Sequence, residues 1–335
     1  MKQPLRLGIN GFGRIGRVAT RIALDRQNIQ IVAINSRADA TSHAYLLKHD
    51  STYGTFSQDV EVSGKNLRVD GQNIAVYQES DPSMIPWKEA GVDVVLEATG
   101  AFTTIEKASA HINGGAKKVI VTAPPKDAMP TYCLGVNTDT YDPSQMVVSN
   151  ASCTTNCLAT VAKVLDDAFG IERGFMTTTH SYTDSQNLLD NSHKKDMRLA
   201  RSAPNNIIPT ETGASKALDM VLPQLSGKII ASSIRVPSAT GSLIDLIVEL
   251  KNSVTKDQVN ASFEEAQQKG MNGILALSYE PLVSSDIRGT QWSALVDGSL
   301  TAVHGNLINV KAWYDNEWGY ATRLVDLAEF IYSHS

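Results

Sequence analysis

A glycine-rich turn near the start of the chain most constrains what this sequence can fold into. The segment from Gly11 to Gly16 has the pattern GxGxxG, follows an apolar strand-like run (Leu5 to Ile9) and precedes an amphipathic helical run. A second strand-like run, Gln30 to Asn35, comes next. Glycines at Gly11 and Gly13 permit a tight turn and close approach of a pyrophosphate, and the following helix N-terminus supplies N–H donors. The pattern predicts a dinucleotide-binding unit; the alternative is a purely structural glycine turn.

Strand-like and helix-like runs alternate over the rest of the first half of the chain. The first is an alternating stretch, Val60 to Tyr77, which is broken at Asp70-Gly71-Gln72 and predicts a small antiparallel insertion. A strand (Val92 to Leu96), a helix (Ile105 to Ile112) and a strand (Val119 to Thr122) follow. Such alternation predicts an α/β fold with a Rossmann-type, doubly wound and mostly parallel sheet. Ligands bind at the carboxyl ends of the strands in such sheets, so Thr99, Gly100 and Thr122 are candidate cofactor-binding residues.

The end of the second strand bears on which dinucleotide is used. NAD-binding folds usually place Asp or Glu there to accept from the ribose 2′-hydroxyl, whereas this strand ends Asn35-Ser36-Arg37. Ser36 offers a small hydroxyl and Arg37 a guanidinium suited to a phosphate. We therefore expect the cofactor to be NADP, used either in preference to NAD or alongside it. The alternatives are that Arg37 is only a solvated surface residue, or that Asp39, which otherwise caps the next helix, neutralises it.

A second motif, Ser149-Asn150-Ala151-Ser152-Cys153-Thr154-Thr155-Asn156-Cys157, joins a strand-like run to an apolar helical pattern. Ser152, Thr154 or Thr155 can cap that helix, which places Cys153 at or beside its N-terminus. The partial positive charge there favours a thiolate, which is a strong nucleophile. The alternative is a buried structural cysteine.

Composition excludes several classes of protein. The net charge of −5 gives no electrostatic case for a nucleic-acid partner or an anionic membrane surface. Three cysteines are too few for a disulfide scaffold, and we see neither a signal-peptide core nor an apolar run of membrane-spanning length. The expected location is the cytoplasm. No metal site is predicted.

Beyond Cys153 the composition changes. The β-branched run from Phe175 to His180 delivers His180, and a long polar stretch, Asp184 to Asn206, is typical of an ordered functional loop or an oligomer contact. The remaining expected elements are a helix (Ala214 to Leu225), strands (Ile229 to Val236, Ser242 to Leu250 and Ile308 to Tyr314) and helices (Thr255 to Gln268 and Tyr320 to Tyr332).

Several motifs together resemble the phosphorylating glyceraldehyde-3-phosphate dehydrogenase family, in order and over essentially the whole chain. They are the glycine-rich turn, the cysteine stretch, Thr177 to Thr183, Ile207 to Lys216, Ile234 to Pro237 and Trp313 to Tyr320. The resemblance implies a dinucleotide-binding domain over residues 1–151 and a catalytic α+β domain with a mostly antiparallel sheet over 152–318. It also implies that a C-terminal helix, 319–335, returns to the first domain. It further implies a homotetramer.

The resemblance also implies the chemistry, with Cys153 as nucleophile and His180 as its base. The substrates would be glyceraldehyde 3-phosphate and inorganic phosphate, converted through a thiohemiacetal and a thioester to an acyl phosphate. Ser152, Thr154, Thr212 and Gly213 would surround the attacking phosphate, and Thr183 and Arg235 would hold the phosphate of the substrate. The backbone of Arg14 and Ile15 would meet the pyrophosphate, and Asn316 would orient the nicotinamide.

The chain departs from the family pattern in the long loop. One residue is inserted there relative to the family pattern, so Arg198 is our choice for a phosphate-site arginine, with Arg201 as the alternative. Asn191 and Ser192 stand where NAD-specific members have Leu-Pro, as in chloroplast-type enzymes that accept NADP. Two other functions stay open: an erythrose-4-phosphate dehydrogenase, although its members typically lack two of the segments found here, and a non-catalytic thiol redox sensor.

Overall fold

The computed structural model describes residues 3–194 and 196–334, which form two compact units. The first unit comprises residues 3–132, 139–151 and 321–334. The second comprises residues 133–138 and 152–320 apart from residue 195. No helix of the described residues is long and apolar enough to cross a membrane.

The first unit is an α/β structure. Its strands are β1 (Leu5–Asn10), β2 (Ile29–Asn35), β3 (His49–Asp50), β4 (Gly54–Thr55), β5 (Val60–Ser63), β6 (Asn66–Val69), β7 (Gln72–Tyr77), β8 (Val94–Glu97), β9 (Lys118–Val121) and β10 (Val147–Ser149). Its helices are α1 (Arg14–Leu24), α2 (Ala40–Lys48), α3 (Trp87–Ala90), α4 (Ile105–Ala108) and α5 (Ala110–Asn113).

The main sheet of this unit has the order β10-β9-β8-β1-β2-β7-β6-β5. Its strands from β10 to β7 pair in parallel, and β6 and β5 add an antiparallel edge. From β1 the sheet is extended to one side by β2 and β7 and to the other side by β8, β9 and β10. The strand order therefore reverses at β1, and in doubly wound sheets ligands bind at such a point. This is the predicted Rossmann-type arrangement.

The second unit is built on a mostly antiparallel sheet. Its elements are α6 (Cys153–Phe169), β11 (Ile171–Ser181), β12 (Ile208–Thr210), α7 (Ala214–Val221), β13 (Ile229–Val236), β14 (Ser242–Leu250), α8 (Lys256–Lys269), β15 (Leu275–Ser278), β16 (Ala294–Asp297), β17 (Ala302–His304) and β18 (Leu307–Tyr314). The strand order is β12-β13-β11-β14-β18-β16-β15, with β17 also paired to β18. Only the β11–β13 and β15–β16 pairs of this sheet are parallel.

Helix α6 covers one face of this sheet and contacts β11, β14, β16 and β18. Its apolar side, including Leu158, Val161 and Leu165, is fully buried, as are Leu246 and Val310 of the sheet. Each such side chain contributes roughly 1.5–3 kcal/mol when it leaves water. The packing therefore holds the N-terminus of α6, where Cys153 lies, firmly against the strands.

The last helix, α9 (Trp318–Ser333), begins in the second unit and continues in the first. Within the first unit, Arg26 forms ion pairs with Asp326 and Glu329 of this helix. The amide of Asn28 also donates to Glu329. These contacts tie the end of the chain to the segment between α1 and β2.

The structure differs from the sequence expectations in several elements. The helix expected from Ile105 to Ile112 is divided into α4 and α5 at Ser109. The Ser109 hydroxyl shares the carbonyl of Ile105 with the Ser109 N–H, a contact that often bends helices. The helix expected to reach Leu225 ends at Val221, since Pro223 cannot continue it. The expected antiparallel insertion is present as β5, β6 and β7, and β7 also pairs in parallel with β2. The short strands β3, β4, β12 and β15 to β17 were not predicted.

Candidate active site

The glycine-rich turn between β1 and α1 has the geometry of a dinucleotide cradle. Gly11 has φ of 93°, in the region that favours glycine, and a Cβ there would lie 2.7 Å from the Ala98–Thr99 backbone. A Cβ on Gly16 would lie 2.2 Å from the Gly11 carbonyl oxygen, so only glycine allows helix and turn to pack this closely. Gly13 is exposed, with open space where its Cβ would be. The residues present fit a bound pyrophosphate.

Arg14 and Ile15 form the first turn of α1, where backbone N–H groups point out of the helix end. The Arg14 side chain is engaged elsewhere, in an ion pair with Asp50 and against the ring of Tyr53. Any contact of Arg14 with the pyrophosphate would then be made by its backbone N–H, as the resemblance implies.

The end of β2 presents Ser36 and Arg37 at the surface of the first unit. Arg37 is exposed and Ser36 half-buried. Asp39 is the N-cap of α2, where its carboxylate accepts from the Ser42 N–H at 2.8 Å. That hydrogen bond also holds the pKa of Asp39 below its usual value. Among residues 3–194 and 196–334 no ion pair involves Arg37, so the guanidinium remains available for a phosphate.

A buried polar network at the carboxyl ends of β1, β2 and β8 was missed by sequence reasoning. The Trp87 indole N–H donates to His111 Nδ1 at 3.0 Å, so the other ring nitrogen carries the hydrogen and donates to Glu97 at 2.9 Å. Glu97 also accepts from the side chain of Asn10, and from the backbone N–H (2.9 Å) and hydroxyl of Thr99. The network therefore holds the exposed Thr99–Gly100 turn in place.

A signal for this network exists in the sequence. Asn10, Asn35 and Glu97 each end a strand whose other residues are mostly apolar, and the register aligns Asn10 with both of the others. Polar side chains at the ends of adjacent buried strands must find partners, and here the Asn35 amide donates to Asn10 at 2.8 Å. Thr122, another predicted site residue, follows β9 and donates its N–H to the Glu97 carbonyl at 3.0 Å.

In the second unit, Cys153 is the first residue of α6. The preceding Ser152 is the N-cap, and its hydroxyl accepts from the Thr155 N–H at 3.1 Å. Ala151 has a left-handed φ of 55°, which is strained for a residue with a side chain and turns the chain sharply into the helix. Cys153 therefore lies at a capped helix N-terminus, as the motif predicted.

The structure brings Cys153 and His180 together. His180 lies near the end of β11, and its Nε2 is 3.4 Å from Cys153 Sγ. Its Nδ1 is 2.7 Å from the carbonyl oxygen of Ser181, an atom that can only accept. Nδ1 therefore carries the hydrogen, and the lone pair of Nε2 faces the thiol. This is the geometry of a general base beside its nucleophile.

Arg235 lies against the other side of the imidazole. The parallel register of β11 and β13 aligns His180 with Arg235, whose Nη1 donates to the Ser181 carbonyl at 3.2 Å. The guanidinium therefore adds a positive charge beside the imidazole ring. Arg235 Nε is buried without a hydrogen-bond partner in the described part of the chain, so the group keeps donor capacity for an anion.

These surroundings set the protonation of the pair. Burial and the Arg235 charge lower the pKa of His180 to about 3, so the ring is neutral near pH 7. Burial raises the pKa of the Cys153 thiol, against the opposing effects of Arg235 and of hydrogen bonds from Thr154. The direction of this shift opposes the thiolate that the sequence favours at the helix N-terminus.

The other cysteines lie in different environments. Cys133 and Cys157 are fully buried, and burial raises the pKa of Cys133 to about 12 and that of Cys157 well above its ordinary value. Cys153 is only half-buried. A thiol reagent in water is therefore expected to modify Cys153 first.

The remaining predicted phosphate ligands lie on separate segments. Gly213 is the exposed N-cap of α7, a helix that packs against α6, and the Thr212 hydroxyl accepts from the Ala214 N–H at 3.2 Å. The Thr183 hydroxyl lies 3.0 Å from that of Ser185. None of these side chains hydrogen-bonds directly to Cys153 or His180 among the residues described.

Of the two arginines in the long loop, Arg198 is the better placed to bind an anion. Arg201 is paired with Asp190 at 3.0 Å, whereas the exposed Arg198 side chain forms no ion pair within residues 3–194 and 196–334. Asn191 and Ser192 are exposed in the same loop, held by the Asn187 amide, which donates to their carbonyl oxygens at 2.8 and 3.3 Å.

Asn316 has a defined side-chain orientation. The Ser242 hydroxyl accepts from the Ser181 N–H at 3.1 Å, so its own hydrogen is free to donate to Asn316 Oδ1 at 2.9 Å. The amide nitrogen of Asn316 is then the end left to donate to a ligand. This fits the predicted contact with a nicotinamide carboxamide.

Comparison with known proteins agrees with these observations. The family model described as the C-terminal domain of glyceraldehyde 3-phosphate dehydrogenase matches residues 152–316, and that of its NAD binding domain matches residues 5–105. The chain is 50% identical over 331 residues to the glyceraldehyde-3-phosphate dehydrogenase of Geobacillus stearothermophilus, covering 98% of each chain. The enzyme of that name from Streptomyces coelicolor is 52% identical, with the same coverage.

The chain belongs to the glyceraldehyde-3-phosphate dehydrogenase family. The chloroplastic member from Arabidopsis thaliana is 50% identical over 98% of this chain and 83% of its own length. All three relatives carry the glyceraldehyde-3-phosphate name, so they do not favour the erythrose-4-phosphate alternative. Family membership also confirms a nicotinamide-dinucleotide enzyme, and leaves the choice between NAD and NADP to the residues of the site.

Proposed function

We propose that this chain oxidises glyceraldehyde 3-phosphate, with inorganic phosphate and NADP or NAD, to 1,3-bisphosphoglycerate. The observation that carries the proposal is the Cys153–His180 pair, 3.4 Å apart, with the imidazole lone pair aimed at the thiol. When bound, the nicotinamide supplies the two-electron acceptor for the oxidation.

The chain's residues handle the protons and the covalent intermediate. His180 Nε2 takes the proton from Cys153 Sγ as the sulfur adds to the aldehyde carbon, and returns it to the new alkoxide, giving a thiohemiacetal. His180 then takes that hydroxyl proton during the oxidation to a thioester and releases it to solvent. Phosphate attacks the thioester carbon, the C–S bond breaks, and the acyl phosphate leaves.

Two sets of donors support the phosphate groups in this proposal. Arg235 and Thr183 would hold the phosphate of the substrate, and the orphaned Arg235 Nε supports an anion there. The attacking phosphate would lie among Ser152, Thr154, Thr212 and Gly213, which belong to the N-terminal turns of α6 and α7, with Arg198 as a further cation.

We propose NADP as a cofactor, alone or alongside NAD. The support is the pair Ser36 and Arg37 at the end of β2, since Ser36 stands where a carboxylate would repel a 2′-phosphate. Asp39 is engaged in capping α2 and is therefore not Arg37's counter-ion. Ser192 would contribute from the long loop of a neighbouring subunit.

We also propose a homotetramer. Ile230 of β13, Phe175 of β11 and Ile247 of β14 are aligned by register on adjacent strands, and their exposed fractions are 60%, 65% and 43%. An exposed apolar row of this kind is typical of a subunit interface. In each subunit, residues 1–151 with the C-terminal helix (319–335) would bind the dinucleotide and 152–318 would carry the catalytic groups. The unpaired cysteines support a reducing, cytoplasmic location.

A steady-state assay tests the proposed reaction. Reduction of NADP and of NAD is followed at 340 nm with glyceraldehyde 3-phosphate, with erythrose 4-phosphate and with each aldehyde in the absence of phosphate. The proposal expects phosphate-dependent turnover of glyceraldehyde 3-phosphate and its loss in Cys153→Ser with cofactor binding retained. Full activity of that variant would show that Cys153 is not the nucleophile, and a chain that binds cofactor without turnover would support the redox sensor.

A further inference from the structure

A buried cluster of three hydroxyls lies beside the catalytic pair. The Tyr314 hydroxyl is 2.9 Å from Thr154 Oγ1 and 2.8 Å from Thr178 Oγ1. All three side chains are at least 96% buried. Hydroxyls in such a place need partners, and here each finds one in the cluster.

The cluster joins the two elements that carry the reacting groups. Thr154 follows Cys153 in the first turn of α6, and Thr178 lies two residues before His180 on β11. Residues two apart on a strand share a face, so Thr178 and His180 project to the same side of the sheet. Tyr314 comes from the end of a third element, β18, and touches both of the others through one oxygen atom.

The Tyr314 ring makes a second contact with the pair. Its centroid is 5.9 Å from that of the His180 ring, in an edge-to-face arrangement with an interplanar angle of 73°. Burial, together with the nearby Cys153 sulfur, raises the pKa of Tyr314 well above its ordinary value. The phenol is therefore protonated throughout the working pH range, and its hydrogen is always available to one of the two threonines.

We propose that Tyr314 is a positioning residue that fixes the separation between the nucleophile and its base. It does so by tying the N-terminus of α6 to β11 through Thr154 and Thr178 and by packing against the edge of the imidazole. The proposal rests on the roles of Cys153 and His180 in the proposed function. Removing the hydroxyl lets the sulfur and Nε2 drift from hydrogen-bonding range, and proton transfer between them slows.

The size of the effect follows from this geometry. A misplacement of about 1 Å between reacting groups can lower a rate by about 100-fold. We therefore expect Tyr314→Phe to lower kcat by about 10- to 100-fold while KM for glyceraldehyde 3-phosphate changes little. The variant leaves the ring in place, so only the tie through the oxygen is lost.

The test compares hydroxyl removal at both ends of the tie. Tyr314→Phe and Thr178→Val are assayed for kcat, KM and the rate of Cys153 alkylation by iodoacetamide from pH 5 to 10. Thr178→Ser retains the hydroxyl and is expected to recover most of the activity that Thr178→Val loses. Tyr132→Phe is the matched control, because Tyr132 is a buried tyrosine of the first unit whose hydroxyl donates to Gln145 at 2.7 Å.

The proposal expects the two deletions to lower kcat and to change the alkylation profile, while Tyr132→Phe leaves both as in the wild type. Wild-type kcat and alkylation in Tyr314→Phe would overturn it. If Tyr314→Phe does not fold, equal activity of Thr178→Val and Thr178→Ser would overturn it instead. Activity retained in Cys153→Ser would mean that the proposed function fails; an inactive Cys153→Ser beside a normal Tyr314→Phe would mean that only this inference fails.

Discussion

Arg235→Ala is expected to have two separable effects, because the guanidinium lies both beside the imidazole and where the substrate phosphate would bind. The first effect is loss of a charge-assisted hydrogen bond to the phosphate, worth about 1.5–3 kcal/mol. That corresponds to roughly a 10- to 150-fold loss of kcat/KM. Unphosphorylated glyceraldehyde makes no such contact, so its kcat/KM near pH 8 should change much less.

The second effect concerns pH and applies to both substrates. The Arg235 charge helps to lower the pKa of His180 to about 3, so removing it raises that pKa towards the ordinary value. Since the neutral imidazole is the base, activity falls as pH drops through the His180 pKa. The acid limb of the kcat/KM profile should therefore move to higher pH in the variant.

The assay measures kcat/KM for glyceraldehyde 3-phosphate and for glyceraldehyde between pH 5 and 9 in the wild type and in Arg235→Ala. Arg173→Ala is the control, since Arg173 is an exposed arginine on β11 that pairs only with Glu249 in the described structure. Equal losses for the two substrates would show that Arg235 does not recognise phosphate. If the acid limb lies at the same pH in Arg235→Ala as in the wild type, the charge of Arg235 does not lower the pKa of His180.

Three further variants test other parts of the site. His180→Asn removes the proton acceptor and should lower kcat by roughly 10²–10⁴-fold and move Cys153 alkylation to higher pH; an unchanged alkylation profile would contradict this. Ser36→Asp should lower the ratio of NADP to NAD kcat/KM by about 10- to 100-fold; an unchanged ratio would refute our interpretation of the strand end. His111→Gln should weaken dinucleotide binding, measured by titration, with little change in kcat at saturation; unchanged affinity would make the Glu97 network merely structural.

Sequence reasoning succeeded where the chemistry is local. The glycine turn needs only its own six residues and the elements on either side, and the observed φ of Gly11 and packing of Gly16 follow from the absence of a Cβ. The position of Cys153 likewise depends on one N-cap, Ser152, within the same motif. Strands β13 and β14 have the predicted bounds, because aliphatic residues recur along both of them.

It failed where function depends on contacts between distant segments. His180 was predicted to be the base only from the family resemblance. Its distance from Cys153 is set by how β11 packs against α6, which the sequence pattern does not show. Tyr314 is 160 positions from Thr154, and no local pattern marks it as a partner. The direction of the pKa shift of the Cys153 thiol was also beyond sequence, since burial of the sulfur, which raises that pKa, is a property of the packed unit.

Arg235 would link recognition of the substrate phosphate to the basicity of His180. In the structure the positive charge of Arg235 disfavours a second proton on His180, and it also favours the thiolate of Cys153. A substrate phosphate bound to the same guanidinium would offset part of that charge, so a phosphorylated aldehyde would raise the basicity of the imidazole on arrival. An unphosphorylated aldehyde would meet a weaker base. Arg235 would then discriminate between substrates through the rate of proton transfer as well as through binding.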